Sequence, residues 1–356
     1  MEKKVVLVTG GAGYIGSHTV VALHEAGFRP VVVDNFANST PAALDGIASI
    51  IGERVPFVEA NCCDGEAMRD LFNTQAEAGT PISGVIHFAA FKAVGESVEK
   101  PIDYFENNIG STANLLRVME AFGVTNLVFS SSCTVYGEPD TIPVDETAPM
   151  KPAESPYGYT KQACERLITD AAHARPALAT ALLRYFNPIG AHPTAAIGEL
   201  PIGRPNNLIP FLTQATAGKR EPLTVFGNDY PTTDGTCIRD YIHVVDLAAA
   251  HVAALRWLLR ETSTTDRSND HGPLLEAFNL GTGCFPPLKR FWVINESHAN
   301  LLLAVALTVG FIAVFAAEWL ARPSVQKREA VMSVPTLGLQ FKLPLDSFDL
   351  EIDFEF

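Results

Sequence analysis

The chain has 356 residues, 19% charged and 47% hydrophobic, a balance that excludes disorder over most of its length. Lys+Arg number 26 against Asp+Glu 40, giving a net charge of −14, which argues against a nucleic-acid binder that works by neutralising phosphates. Six cysteines (62, 63, 133, 164, 237, 284) make no C-x-x-C pair and no disulfide framework, so a reducing compartment, the cytoplasm, is expected and no metal site is.

Lys3 and Lys4 precede the apolar run Val5–Val8, which breaks at Thr9-Gly10-Gly11. That run is too short and too glycine-rich for a signal peptide and reads as a strand and turn. Up to about residue 260, short β-branched runs alternate with helical patterns. The strands are expected at Val5–Val8, Val31–Val33, Val55–Val58, Val85–Phe88, Leu127–Phe129 and Ala181–Leu183; the helices include Ile15–Ala26, Gly65–Glu77, Asn108–Ala121 and Tyr157–Ala172. Apolar strands joined by helices predict an α/β fold, a doubly wound parallel sheet covered on both faces. Thr262–Gly272 is polar and reads as a surface loop.

The first strand runs into Thr9-Gly10-Gly11-Ala12-Gly13-Tyr14-Ile15-Gly16, where a helix opens. Glycines allow a tight turn and close approach to a pyrophosphate, and a helix N-terminus supplies N–H groups and a positive dipole end. Eighteen residues after Gly16, Asp34 closes the second strand. A carboxylate there accepts from both adenosine ribose hydroxyls and repels a 2′-phosphate, so NAD is expected rather than NADP.

Tyr157 and Lys161 are four residues apart and share a helix face. An ammonium near a phenol favours phenolate, lowering a pKa of about 10 towards neutrality and making tyrosine a usable acid or base. Ser130-Ser131-Ser132 ends the strand at Leu127–Phe129, where a parallel sheet presents its ligands; a hydroxyl there can bridge the tyrosine and a substrate hydroxyl.

The segments TGGAGYIG (9–16), HFAAFKAVGES (87–97), SSSCTVYG (130–137), SPYGYTK (155–161), RYFNPIGAHP (184–193), PNNLIP (205–210) and FGNDYPTTDGTCIRDYIHV (226–244) carry a resemblance. From residue 1 to about 283 the chain resembles the UDP-glucose 4-epimerases, a family of extended short-chain dehydrogenase/reductases acting in galactose metabolism. The resemblance implies a Rossmann-type NAD domain over 1–185 and a smaller UDP-sugar-binding region over 186–283. It implies that Gly10, Gly13, Tyr14, Ile15 and Gly16 cradle NAD, with Asp34, Asn35, Asn61 and Cys62 at its adenosine end. Phe88, Lys92, Asn107, Lys161 and Phe186 continue along the cofactor. Ser132, Tyr157 and Lys161 match the catalytic trio, while Asn187, Asn207, Leu208, Phe226 and Arg239 match contacts to UDP-glucose or UDP-galactose. On this pattern Tyr157 takes the sugar 4′-hydroxyl proton, Ser132 orients that hydroxyl, and Lys161 holds the ribose. A related 4,6-dehydratase carries Asp-Glu after the Thr of the serine strand; here Val135-Tyr136 follows Thr134, which argues against it. The resemblance also implies a homodimer, with Asn108–Ala121 and Tyr157–Ala172 as candidate contact helices.

Two features depart from the family. Asn61 replaces an acidic residue at the third strand's end, and an asparagine can still bond an adenine edge. Residues 284–356 show no counterpart of the family's Arg-containing diphosphate motif. Instead Ala299–Ala317 is nineteen residues without a charge, about 29 Å as a helix against a bilayer core of ~30 Å. The stretch 299–321 therefore reads as a membrane-anchoring hydrophobic helix or as one buried on all sides. The closing FDLEIDFEF (348–356) has strand periodicity and reads as an added edge strand or an acidic tail. The chain as a whole reads as an active NAD-dependent epimerase or as a nucleotide-sugar-binding relative with little turnover, tethered to a membrane in one version.

Overall fold

The computed structural model describes residues 3–264, except 225, 226, 228, 233 and 234, then 273–283 and two strands at 330–334 and 339–343. Strands β1 (Val5–Thr9), β2 (Arg29–Asp34), β3 (Phe57–Glu59), β4 (Ile82–His87), β5 (Asn126–Ser130), β6 (Ala179–Tyr185) and β9 (Leu275–Leu280) form one sheet. Its order is β3-β2-β1-β4-β5-β6-β9, with every pair parallel. The chain winds outward from β1 in both directions, so the strand order reverses between β1 and β4. That switch point leaves a crevice at the strands' carboxyl ends, where doubly wound sheets bind ligands.

Strand periodicity explains the two covered faces. Val5, Leu7, Val31, Val33, Val85, Leu127 and Phe129 turn to one side. There they meet Met68, Leu71 and Phe72 of α3 (Gly65–Glu77), Leu115 and Met119 of α5 (Pro101–Ala121), and Cys164 and Ile168 of α6 (Pro156–Ala174). Val6, Val8, Val32, Ile86, Val128 and Ala181 turn to the other. They pack on Val20, Val21 and Leu23 of α1 (Tyr14–Glu25), Ile47 of α2 (Ala42–Ile51), and Val252, Leu255 and Leu258 of α8 (Val244–Thr264). Leu7 in the central strand is fully buried. Leu7→Ala should therefore lower the unfolding free energy by about 2–5 kcal/mol, read as a lower urea midpoint with an unchanged slope.

A second, smaller sheet pairs β7 (Asn187–Ile189) with β8 (Tyr241–His243) in parallel, and α7 (Leu208–Thr216) lies between them in sequence. The short helix α4 (Val94–Glu99) precedes α5. Residues 1–290 form one compact unit and 291–356 another; within the latter, β10 (Ala330–Val334) and β11 (Leu339–Leu343) pair antiparallel.

Several boundaries differ from the sequence expectation. Helix α5 starts at Pro101 rather than Asn108, because Pro is suited to a first helical turn and Asn108 turns its amide to tertiary partners rather than capping. Strand β3 starts at Phe57 rather than Val55, directly after Pro56, which has no N–H to donate. The 262–272 stretch is not all loop, since α8 continues to Thr264; the rest lies outside the described residues. The apolar run 299–317 and the segment 348–356 also lie outside them, and among the described residues no helix is long and apolar enough to cross a membrane.

Candidate active site

The turn after β1 is shaped by glycine. Gly10 has φ +68°, donates to the Val33 carbonyl at 2.8 Å, and its own carbonyl accepts from Gly13 N at 3.0 Å. A Cβ on Gly10 would stand 2.8 Å from Ala89 N. One on Gly16 would drive into the Gly10 carbonyl oxygen and stand 2.8 Å from Gly11 Cα. Gly13 is the N-cap of α1 and supplies no side-chain cap. The helix thus opens with backbone N–H groups uncapped by side chains, at the wall of a cleft lined by Gly10, Gly13, Tyr14, Ile15 and Gly16.

Along the same cleft stand Asp34, Asn35, Asn61, Cys62, Phe88, Lys92, Asn107, Tyr157 and Lys161. Asp34 is buried, and its carboxylate accepts from Ala12 N (3.1 Å), Phe36 N (2.9 Å) and the Ser39 hydroxyl (2.8 Å). A carboxylate has about four acceptor positions, so one is left for a ligand hydroxyl. Asn61 accepts from Cys63 N at 2.9 Å, and burial pushes the Cys62 thiol up to about 12, so it stays protonated. Lys92 pairs with Glu199 at 3.0 Å, and Asn207 donates to the same carboxylate at 2.7 Å.

Tyr157 and Lys161 stand at the other end of the cleft. Ser155 caps α6 and Pro156 opens it, which sets Tyr157 and Lys161 on successive turns facing inward. Lys161 Nζ donates to the Ser130 carbonyl at 2.7 Å and lies 4.9 Å from the Phe129 ring centre and 5.9 Å from that of Tyr157. Burial lowers Lys161 to about 8, against the opposing pull of Cys164 and Glu165. Burial also pushes the Tyr157 phenol above its ordinary range, and the neighbouring Tyr185 adds to this, while a hydrogen bond with Ser132 works the other way. This corrects the sequence expectation of a lowered tyrosine: burial of the phenol is the largest influence on it. The charged form of Lys161 is lost as pH rises through about 8, so turnover should fall on the alkaline side near that value, read from kcat against pH.

The remaining expected residues are not among those that line the cleft, although Ser132 bonds the Tyr157 phenol from behind its wall. Ser132 is buried and accepts from Thr134 N at 3.3 Å, opening the turn Cys133–Tyr136. Phe186 lies against Gly281, outside the cleft wall. Asn187 donates to the Asp240 carbonyl at 2.9 Å, Asn207 is the N-cap of α7, Leu208 begins it, and Arg239 is exposed. Phe226 lies outside the described residues. Sequence reasoning missed Ser111, Tyr185 and the stretch Ala196–Pro201, which also line the cleft. Tyr185 carried a signal, since it ends a parallel strand; the 196–201 loop carried none.

The cleft combines a backbone cradle fitted to a pyrophosphate, an acid at the second strand's end and a buried Tyr/Lys pair. Glycines that tolerate no Cβ fit the close approach of a dinucleotide. A model of the NAD dependent epimerase/dehydratase family matches residues 6–264. The chain is 50% identical over 289 residues to a mouse (Mus musculus) UDP-glucose 4-epimerase, covering 80% of this chain and 78% of that one. It is 50% identical over 278 residues to the UDP-glucose 4-epimerase of Bacillus subtilis, covering 78% and 77%. Among solved structures, the epimerase of Stenotrophomonas maltophila with bound NAD and formylated UDP-arabinopyranose matches with a TM-score of 0.74 and 46% identity, over 81% of each chain. That of Bifidobacterium longum in complex with NAD+ and UDP matches with a TM-score of 0.73 and 41% identity, over 81% of each chain.

Proposed function

This chain belongs to the NAD-dependent epimerase/dehydratase family, and from that premise we propose that it is a UDP-glucose 4-epimerase, interconverting UDP-galactose and UDP-glucose. The observation that carries the reading is that Tyr157 and Lys161 line the same cleft as the glycine turn, so an acid–base pair and a dinucleotide cradle meet in one space.

On this reading the backbone of Gly10, Gly13, Tyr14, Ile15 and Gly16 holds the pyrophosphate of NAD. Asp34, Asn35, Asn61 and Cys62 take the adenosine end, and Phe88, Lys92, Asn107, Lys161 and Phe186 follow the rest. NAD, when bound there, would supply a reversible hydride acceptor for the sugar C4′. Tyr157 removes the 4′-hydroxyl proton and later returns it, and Ser132 fixes that hydroxyl against the phenol. Lys161, positively charged below about pH 8, stabilises negative charge on Tyr157. The 4-keto sugar turns over while Asn187, Asn207, Leu208, Phe226 and Arg239 keep the UDP end in place. Residues 186–283 form the substrate-binding part, and the enzyme pairs as a homodimer through α5 and α6. In support of that contact, α5 and α6 of one chain leave Ile102, Phe105 and Tyr159 exposed, with Ile102 70% exposed.

The test is incubation of the purified chain with UDP-galactose and no added cofactor. UDP-glucose should appear, and denaturation should release NAD rather than NADP, since Asp34 would repel a 2′-phosphate. A second reading, a nucleotide-sugar binder with weak turnover and a tether through 299–321, is favoured by one observation. The matches cover only about four-fifths of the chain. Binding of UDP without conversion would support it.

A further inference from the structure

Beneath the cleft lies a polar cluster with no part in the proposed reaction. Glu165 follows Lys161 by four residues on α6, as Lys161 follows Tyr157, so all three share a helical face. Glu165 is 2% exposed and forms no part of the cleft wall. Its carboxylate accepts the Ser131 hydroxyl, Arg184 Nε at 2.9 Å and Arg184 Nη2 at 2.6 Å. Arg184 Nη1 donates to the Tyr136 hydroxyl at 3.0 Å, which in turn donates to Asn279 Oδ1 at 2.7 Å.

A buried ion pair is weak evidence for stability, because desolvation offsets the attraction. What this pair does is hold three successive residues. The Ser130 carbonyl receives Lys161, Ser131 is tied to Glu165, and Ser132 follows immediately. We propose that Glu165 is a positioning residue for epimerisation, fixing through Ser131 the Ser130–Ser132 turn at the register where Lys161 and Ser132 serve Tyr157. The inference rests on the reading of Tyr157 and Lys161 as the proton-handling pair.

Glu165 also bears on Lys161 electrostatically, favouring its charged form. The other groups facing Lys161 are Cys164 and Tyr157 on α6, the Phe129 ring of β5, and His87 of β4, which burial pushes down to about 3 and keeps neutral. Facing Glu165 are Arg184 of β6 and Ser131.

Two variants of the full chain test this. Ser131→Ala leaves the ion pair whole and removes one hydrogen bond. It should keep bound NAD and KM while kcat falls about tenfold or more, as a displaced catalytic group requires. Glu165→Gln should lower kcat further and move the alkaline limb of kcat to lower pH, because one negative charge near Lys161 is gone and Arg184 is uncompensated. The titration of Lys161, followed by NMR of 13Cε-labelled lysine, needs no turnover and should move the same way in Glu165→Gln and stay put in Ser131→Ala. A Ser131→Ala protein with wild-type kcat overturns the proposal, and so does a folded Glu165→Gln protein whose Lys161 titrates as in wild type. If Glu165→Gln does not fold, Ser131→Ala alone decides. A wild-type chain that does not epimerise sinks the proposed function instead, and the lysine titration still judges the placement of Glu165.

Discussion

Tyr157→Phe should slow conversion of UDP-galactose by on the order of a thousandfold, or about 4 kcal/mol of transition-state stabilisation, while NAD still co-purifies. The ring is buried, so phenylalanine keeps the packing against Lys161 and loses only the hydroxyl. The glycine turn is a separate element, so cofactor retention does not depend on the phenol. Rates from an equilibrium-coupled assay, together with NAD released on denaturation, separate the two properties. Near-normal turnover in the variant would remove Tyr157 from the role of base.

Gly16→Ala should cost both cofactor and stability. The added methyl meets backbone on two sides, the Gly10 carbonyl oxygen and Gly11 Cα at 2.8 Å, and neither is a flexible side chain that can step aside. The first turn of α1 must shift, opening the cradle, and overpacking of this kind costs about 1–3 kcal/mol. Purified Gly16→Ala should carry little NAD and melt several degrees lower. Gly95→Ala in α4 is the control: apart from its own helix nothing lies within 4 Å of its Cβ, so NAD content should match wild type and the melting temperature should not fall. Full NAD occupancy in Gly16→Ala would contradict the assignment of this turn to the pyrophosphate.

The elements most legible in the sequence are those whose signal is local. Val5–Thr9 followed by three glycines at fixed spacing defines strand, turn and helix within a dozen residues, and Asp64 caps the start of α3 at Gly65. Tyr157 and Lys161 were legible because helical spacing alone puts them on one face. The cluster around Glu165 was not. It depends on β6 lying between β5 and β9, which brings Arg184 to α6 and Asn279, 143 residues away in sequence, to Tyr136. Strand β9 itself was missed, because Leu275–Leu280 mixes Glu and Asn into a short edge strand without the apolar run of the central ones. The direction of the Tyr157 shift was missed for an energetic reason: spacing reveals a neighbouring charge but not how completely the phenol is removed from water.

Epimerisation within this one cleft requires that a hydride leave the sugar C4′ and return to the same carbon. UDP-galactose deuterated at C4′ tests this most directly, incubated with the purified chain in ordinary water without added NAD. The UDP-glucose formed should keep the deuterium at C4′. Conversion with the label lost to solvent, or NAD-loaded protein that makes no UDP-glucose, would contradict it.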